Sequence, residues 1–165
     1  MMRWIAASKA AVVCLGLLAV AACSNKNNPA NPSAGGMEQA VPGSERDFTL
    51  NVGDRIFFPN DVTQLSAENM DTLRRQAQWL KQYPGVTVQV EGHADERGTR
   101  EYNLALSARR AANAKQFLLA QGIAPNRVST ISYGKERPVA LCDAESCWAQ
   151  NRRAVTVIMS GAVSG

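Results

Sequence analysis

The order of periodicities along this chain predicts an α+β fold, a small mixed β-sheet covered by two main helices in the order β-α-β-α-β-β. Three observations predict it. Valine-rich or aromatic runs with strand character recur, and at 86–91 apolar and polar residues alternate strictly. Two longer stretches carry apolar residues at helical spacing and stop at Pro-Gly or Gly. No internal repeat of roughly 20 to 50 residues is present, which excludes solenoids and propellers. With 165 residues, 45 % apolar and 6 % aromatic, the composition suits one compact domain rather than a disordered chain.

Phe48–Leu50 and Arg55–Phe58 are short strand candidates around a Gly53-Asp54 turn signal. Ser66 is an N-cap candidate for a helix through Tyr83, with Met70, Leu73, Ala77 and Leu80 on one face and Pro84-Gly85 as the stop. Val86, Val88 and Val90 then alternate with Thr87, Gln89 and Glu91, as in a half-buried strand. A second helix is expected from about Arg100 to Gln121, closed by Gly122. Val128–Tyr133 is the next strand. After a loop, Ala154–Met159 is the last, apolar on both faces as a central strand should be.

The first part of the chain reads differently. Arg3 and Lys9 precede an apolar run from Ala10 to Ala22 that ends in Val20-Ala21-Ala22-Cys23, the layout of a charged region, a hydrophobic region and small residues before a cut. At about 13 residues the run is short of the roughly 20 that a bilayer requires, so a transmembrane helix is the poorer reading. The small-small-Cys ending resembles the lipobox of bacterial lipoproteins. By that resemblance the Cys23 thiol receives a diacylglycerol, the signal peptide 1–22 is removed with Cys14, and the new amine is acylated, palmitate being one such chain. Two or three acyl chains anchor stably where one does not. In enterobacterial lipoproteins a residue other than Asp after the cysteine goes with export to the outer membrane, so by the same resemblance Ser24 implies that destination. Residues 23–47, rich in Asn, Pro, Ser, Gly and Ala, are expected to be a lipidated tether. Its root-mean-square span would be roughly 25 Å, with an extended limit on the order of 75 Å. The folded domain is then expected at 48–161.

The formal charge of +4 includes Arg3 and Lys9, and without them 16 basic residues face 14 acidic ones, a net +2. That is too weak a field to make nucleic acid the expected partner. The densest polar stretch runs from Glu91 to Thr99 and continues through Tyr102-Asn103 to Leu106-Ser107-Ala108-Arg109-Arg110. It begins at the carboxyl end of the valine-rich strand, a common place for ligands. On a wheel anchored at Leu104, Ala108, Ala111, Ala112, Ala114, Leu118 and Leu119 fall within roughly 160°, interrupted by Lys115. Arg110 lies about 40° beyond one edge of that arc and Arg109 about 60° beyond the other, so spacing leaves both open.

The runs GHADERGTREYNLALSARR (92–110), SYGKERP (132–138) and NRRAV (151–155) resemble the OmpA-like peptidoglycan-binding domain family over about residues 48 to 160. Lipobox and tether make the whole chain similar to lipid-anchored members that work with the Tol complex. The resemblance implies a non-enzymatic domain, without cofactor, that grips meso-diaminopimelate of the peptidoglycan stem peptide. That side chain ends in an ammonium and a carboxylate. By the family's motif Asp95 would accept from the ammonium and Arg110, rather than Arg109, would bond the carboxylate with its planar fork. Asn103 and Leu106 would be further contacts. The family often carries two aspartates after the first main strand; here Asp61 keeps the second and Pro59 stands at the first, so a ligand contact from position 59 is in question. The implied partners are peptidoglycan and TolB, and through TolB the TolA, TolQ and TolR proteins. The implied role is to support outer-membrane invagination at division and membrane integrity.

Several residues have plainer readings. His93 is the sole histidine, with no second histidine or unpaired cysteine to complete a zinc site, and a hydrogen-bonded structural role fits it better. Arg152-Arg153 could bind phosphate or glycan, or buttress the site with an ion pair beneath it. Arg74-Arg75 reads as a solvated helix face, and Trp79 and Trp148 as packing residues. A cell-wall hydrolase is disfavoured, since no Ser or Cys nucleophile shares a motif with His93 and Asp95-Glu96 are adjacent rather than facing across a cleft. A wall-anchoring lipoprotein outside the Tol system would carry the same binding residues. Cys142 and Cys147, five apart in the loop before the last strand, would form a short-loop disulfide in an oxidising periplasm, with a reduced, packed pair as the alternative.

Overall fold

A computed structural model describes residues 40–164. Cys14, Cys23, the signal region and most of the expected tether lie outside the described residues. Strands β1 (Arg55–Phe57), β2 (Thr87–His93), β3 (Val128–Gly134) and β4 (Arg153–Ser160) form one mixed sheet in the order β1-β4-β2-β3. The last strand is central, antiparallel to both β1 and β2, while β2 and β3 are parallel. Parallel neighbours need a long crossover, and helix α3 (Arg100–Ala120) supplies it. Helix α2 (Ala67–Gln82) links β1 to β2. The α+β class and both main helices are as the periodicities indicate.

Each of the two main helices starts where its cap dictates. The Ser66 hydroxyl accepts from Asn69 N at 3.1 Å, and that of Thr99 from Tyr102 N at 3.2 Å. From α2, Leu73, Ala77 and Leu80 enter the core with Val86, Val88 and Val90 of the β2 segment and Ala111, Ala114 and Leu118 of α3. Arg74 and Arg75 are exposed and Trp79 is buried.

Four expectations need correction. Phe48–Leu50 is not a strand: after a turn of α1 (Glu45–Asp47), residues Phe48–Val52 wind as a π-turn that ends at Gly53, whose φ of 92° reverses the chain. Phe48 is buried against Trp79, with ring centroids 4.9 Å apart, while Leu50 is 64 % exposed, so the two do not share a buried strand face. The folded unit also starts earlier than residue 48. Asp47 accepts from Gly43 N, Asn51 Nδ2 and Trp79 Nε1 at 2.8–2.9 Å, and Ser44, 2 % exposed, bridges to Val163. Polar composition suggested a tether there, but these polar groups are satisfied internally.

The loop before the last strand contains a further helix, α4 (Glu145–Asn151), too short and too polar to carry a periodic signal. Finally, the buried face of α3 is only partly the alanine arc. It comprises Asn103, Leu106, Ser107, Arg110, Ala111, Ala114 and Leu118, while Ala108 and Ala112 are exposed. Three polar side chains are buried because they hold the site described next.

Candidate functional site

The site forms where β2 ends. Its register shifts between Gly92 and His93, and this irregularity suspends the alternation of the strand, so that Gly92, His93, Ala94 and Asp95 are all buried in succession. Helix α3 crosses close by. A Cβ placed on Gly92 would lie 2.0 Å from the Ser107 carbonyl oxygen, so only glycine permits this approach. The Ser107 hydroxyl donates to the Asn103 carbonyl at 2.6 Å and accepts from Gly134 N at 3.1 Å, which ties α3 to β3. These contacts set Asn103, Leu106 and Arg110 opposite Asp95.

A cavity of about 260 Å³ is lined by Asn60, Asp61, Asp95, Arg97, Gly98, Tyr102, Asn103, Leu106, Arg110 and Arg152. It brings together all five residues expected to contact a ligand: Asp61, Asp95, Asn103, Leu106 and Arg110. Arg109 is exposed on the other side of the helix and does not line it.

Asp95 is 5 % exposed. Its Oδ1 accepts from Arg97 N at 3.1 Å and Nε at 3.3 Å; its Oδ2 accepts from Arg97 Nη2 at 2.6 Å and Arg152 Nη1 at 3.1 Å. Burial alone would raise its pKa, but the bonds from Arg97 and Arg152 outweigh it and hold the carboxyl below the usual range. Arg152, itself buried, also donates to the Phe58 carbonyl at 3.0 Å and pairs with Glu145. Of its alternative readings, the geometry gives the buttress. Arg153 donates to the Asn151 and Arg137 carbonyls and does not line the cavity.

Arg110 has no solvent exposure. Its Nε donates to the Val62 carbonyl at 2.9 Å, Nη1 to His93 at 3.1 Å and Nη2 to Pro59 at 3.1 Å. Three of the five N–H groups of a guanidinium are thereby engaged, and two remain outside these bonds. Burial first, and then the charge of Arg152, lower its pKa to about 10, so it is cationic at neutral pH. Pro59 proves compatible with the site because the site uses its carbonyl, which proline retains.

Asp61 adopts a left-handed φ of 56° and accepts from the Tyr102 hydroxyl. Asn103, 2 % exposed, donates to the Arg97 carbonyl at 2.7 Å and so holds the loop as well as lining the cavity. Leu106 is an apolar wall. Lys135 pins the same loop from outside through the Glu96 and Gly98 carbonyls at 3.0 and 2.8 Å.

His93 is buried, but the expectation that it is hydrogen-bonded needs correction. Neither ring nitrogen has a hydrogen-bond partner, and Nε2 lies 3.5 Å from Glu91 Oε2. Among the described residues no group of three or more His, Cys, Asp or Glu side chains could hold a metal ion. Cys142 and Cys147 are joined in a disulfide, with Cα atoms 5.6 Å apart.

Sequence reading singled out neither Arg97, Tyr102 nor Asn60. Arg97 carried a usable signal, since an arginine two residues after an aspartate in a loop can close an Asx-type turn through its own N–H. Asn60 and Tyr102 lie in separate elements and meet only through the fold.

The OmpA family profile matches residues 57–152. A peptidoglycan-associated lipoprotein of Agrobacterium fabrum is 56 % identical over 161 residues, covering 95 % of this chain and 91 % of that protein. One from Pseudomonas aeruginosa is 41 % identical, covering 88 % and 93 %. Among solved structures, the peptidoglycan-associated lipoprotein of Burkholderia pseudomallei superposes with a TM-score of 0.66 at 35 % identity, over 70 % of this chain and all of that one. The C-terminal domain of Helicobacter pylori MotB gives 0.61 at 26 % identity, over 65 % and 84 %. Family match, near full-length likeness and fold agree, and the chain belongs to the OmpA family, among its peptidoglycan-associated lipoproteins.

Proposed function

We propose that this chain is a lipid-anchored protein of the outer membrane that binds peptidoglycan without catalysing a reaction. Its ligand is the zwitterionic end of meso-diaminopimelate in the stem peptide. The observation that carries this reading is that one cavity is lined by a buried carboxylate, Asp95, and a buried guanidinium, Arg110, each with its orientation already set. Such preorganisation lowers the ordering cost of binding. The names of the relatives support peptidoglycan as the partner.

In this reading Arg110 offers its two uncommitted N–H groups to the ligand carboxylate, and Asp95 receives the ammonium. Asp95 is already saturated, so the ammonium takes over a place held by a guanidinium. Arg152 is fixed beneath the site, whereas the Arg97 side chain is 39 % exposed and is the one that yields. Asp61, Asn103 and Leu106 complete the walls. Cys23 carries the lipid, and the segment after it spans the distance to the cell wall. Exchange between peptidoglycan and TolB, and through TolB with TolA, TolQ and TolR, would then draw the outer membrane inward at division and keep it intact.

Pull-down of the mature chain on isolated sacculi tests site and ligand together. Asp95→Ala and Arg110→Ala each lose retention, and wild-type retention by both would overturn the pocket assignment. Release of muropeptides by the purified protein would overturn the non-enzymatic reading. A cell in which no TolB cross-link forms would place the protein outside the Tol system.

A further inference from the structure

Helix α4 is a poor helix on its own terms. It has seven residues, and its N-cap is Ala144, whose side chain offers no acceptor. A helix that short does not hold itself together in water. Yet it supplies two of the groups around Arg97. The guanidinium carbon lies 4.1 Å from the Trp148 ring centroid, a cation–π distance, and Nη2 lies 4.0 Å from Glu145 Oε2. Trp148 Nε1 donates in turn to Glu96 Oε1 at 2.9 Å, which ties α4 to the loop that carries Asp95. Glu145 also pairs with Arg152. Glu145 and Trp148 lie within two residues of Cys147, and the Cys142–Cys147 bond closes the chain around the first turn of α4.

We propose that the Cys142–Cys147 disulfide, with the α4 turn that it closes, is a positioning element for the ligand pocket: it seats Arg97 at the rim and thereby sets the affinity for peptidoglycan. This rests on the function proposed above. When the ligand's ammonium takes its place at Asp95, Arg97 needs a second seat, and the Trp148 ring and Glu145 provide it while keeping the side chain ordered. Without the covalent closure α4 frays, both partners move, and binding must bear the cost of ordering Arg97 or burying it elsewhere. The ordering of one such side chain corresponds to a loss on the order of three- to tenfold in affinity.

The test measures binding of a disaccharide-tetrapeptide muropeptide that contains meso-diaminopimelate to the mature lipidated chain in detergent. The double variant Cys142→Ser/Cys147→Ser binds about three- to tenfold more weakly, and its tryptophan emission shifts to the red as Trp148 becomes exposed. Trp148→Ala reproduces the loss, and Trp148→Phe, which keeps a ring for the guanidinium, restores most of it. In an Arg97→Ala background the cysteine substitutions cause no further loss, because the residue they position is gone. Wild-type affinity in the double cysteine variant, or an equal loss in the Arg97→Ala background, would overturn the inference. Failure of the wild-type chain to bind the muropeptide would instead overturn the function on which it rests.

Discussion

His93 occupies a position that water cannot reach and no hydrogen bond satisfies. Burial first, and then the charges of Arg153 and Arg137, push its pKa from 6.5 down to about 4. Glu91 and Tyr133 also face it, with Glu91 Oε2 3.5 Å from Nε2 and the tyrosine ring 5.5 Å away between centroids. The unfolded chain therefore binds a proton between pH 6.5 and about 4 that the folded chain refuses, and stability falls as pH falls through that window. The full effect is about 3 kcal/mol. Urea denaturation across this range shows the slope, and His93→Gln flattens it. Asp95 acts in the same direction further into acid. Its folded pKa is depressed, so its contribution is present above the ordinary carboxylate range and is lost as pH falls below it. Removing Asp95 leaves the buried Arg152 without one acceptor, so Asp95→Ala is expected to cost about 1–3 kcal/mol of stability besides the binding proposed for it. Thermal melts of that variant measure this separately from binding.

Among the elements, the contact of α3 with β2 decides whether the site exists. Asn103, Leu106 and Arg110 lie at positions i, i+3 and i+7 of one helical face, and the helix must sit close to the strand for them to reach the loop of Asp95. Gly92 grants that distance. Gly92→Ala drives a Cβ into the Ser107 backbone, which cannot withdraw without moving the helix, and such overpacking costs about 1–3 kcal/mol. The expected outcome is a lower melting temperature together with weakened retention on sacculi, since the helix shift carries Arg110 with it. Arg110 also explains why this face was hard to read. Apolar spacing located α3 to within a residue or two, but the alanine stripe covers only part of its buried face, because Arg110, Ser107 and Asn103 are also buried with hydrogen-bond partners. Periodicity reports hydrophobicity and is blind to a polar group whose partners come from other elements.

For the molecule as a whole, the proposed function divides the chain into an address, a lipidated cysteine with its tether, and a domain with a polar ligand cavity. Cys23→Ser is expected to leave the domain folded, as judged by an unchanged melting transition. If Cys23 carries the lipid as proposed, the substitution should also release the protein from the outer-membrane fraction into the soluble periplasmic fraction on cell fractionation. The folded unit itself reaches back to residues 43–47, where Asp47 ties the segment to Trp79, so these residues do not belong to the tether that composition indicated.

Read alone, the sequence determined the α+β class, the Ser66 cap of α2, the Gly122 stop of α3 and the central last strand, and likeness to a family motif pointed to Asp95 and Arg110, which the fold brings to one cavity. These are legible because caps, alternation and motif spacing are local properties of neighbouring residues. Tertiary structure alone decided that Arg97 and Arg152 converge on Asp95, that the Pro59 carbonyl receives Arg110, and that Trp148 and Glu145 flank the same loop. Each of these joins groups from separate elements, between which no local periodicity runs. A polar residue can enter the core only when the fold delivers its partners, so the burial of Arg110 becomes visible only once Val62, His93 and Pro59 stand around it.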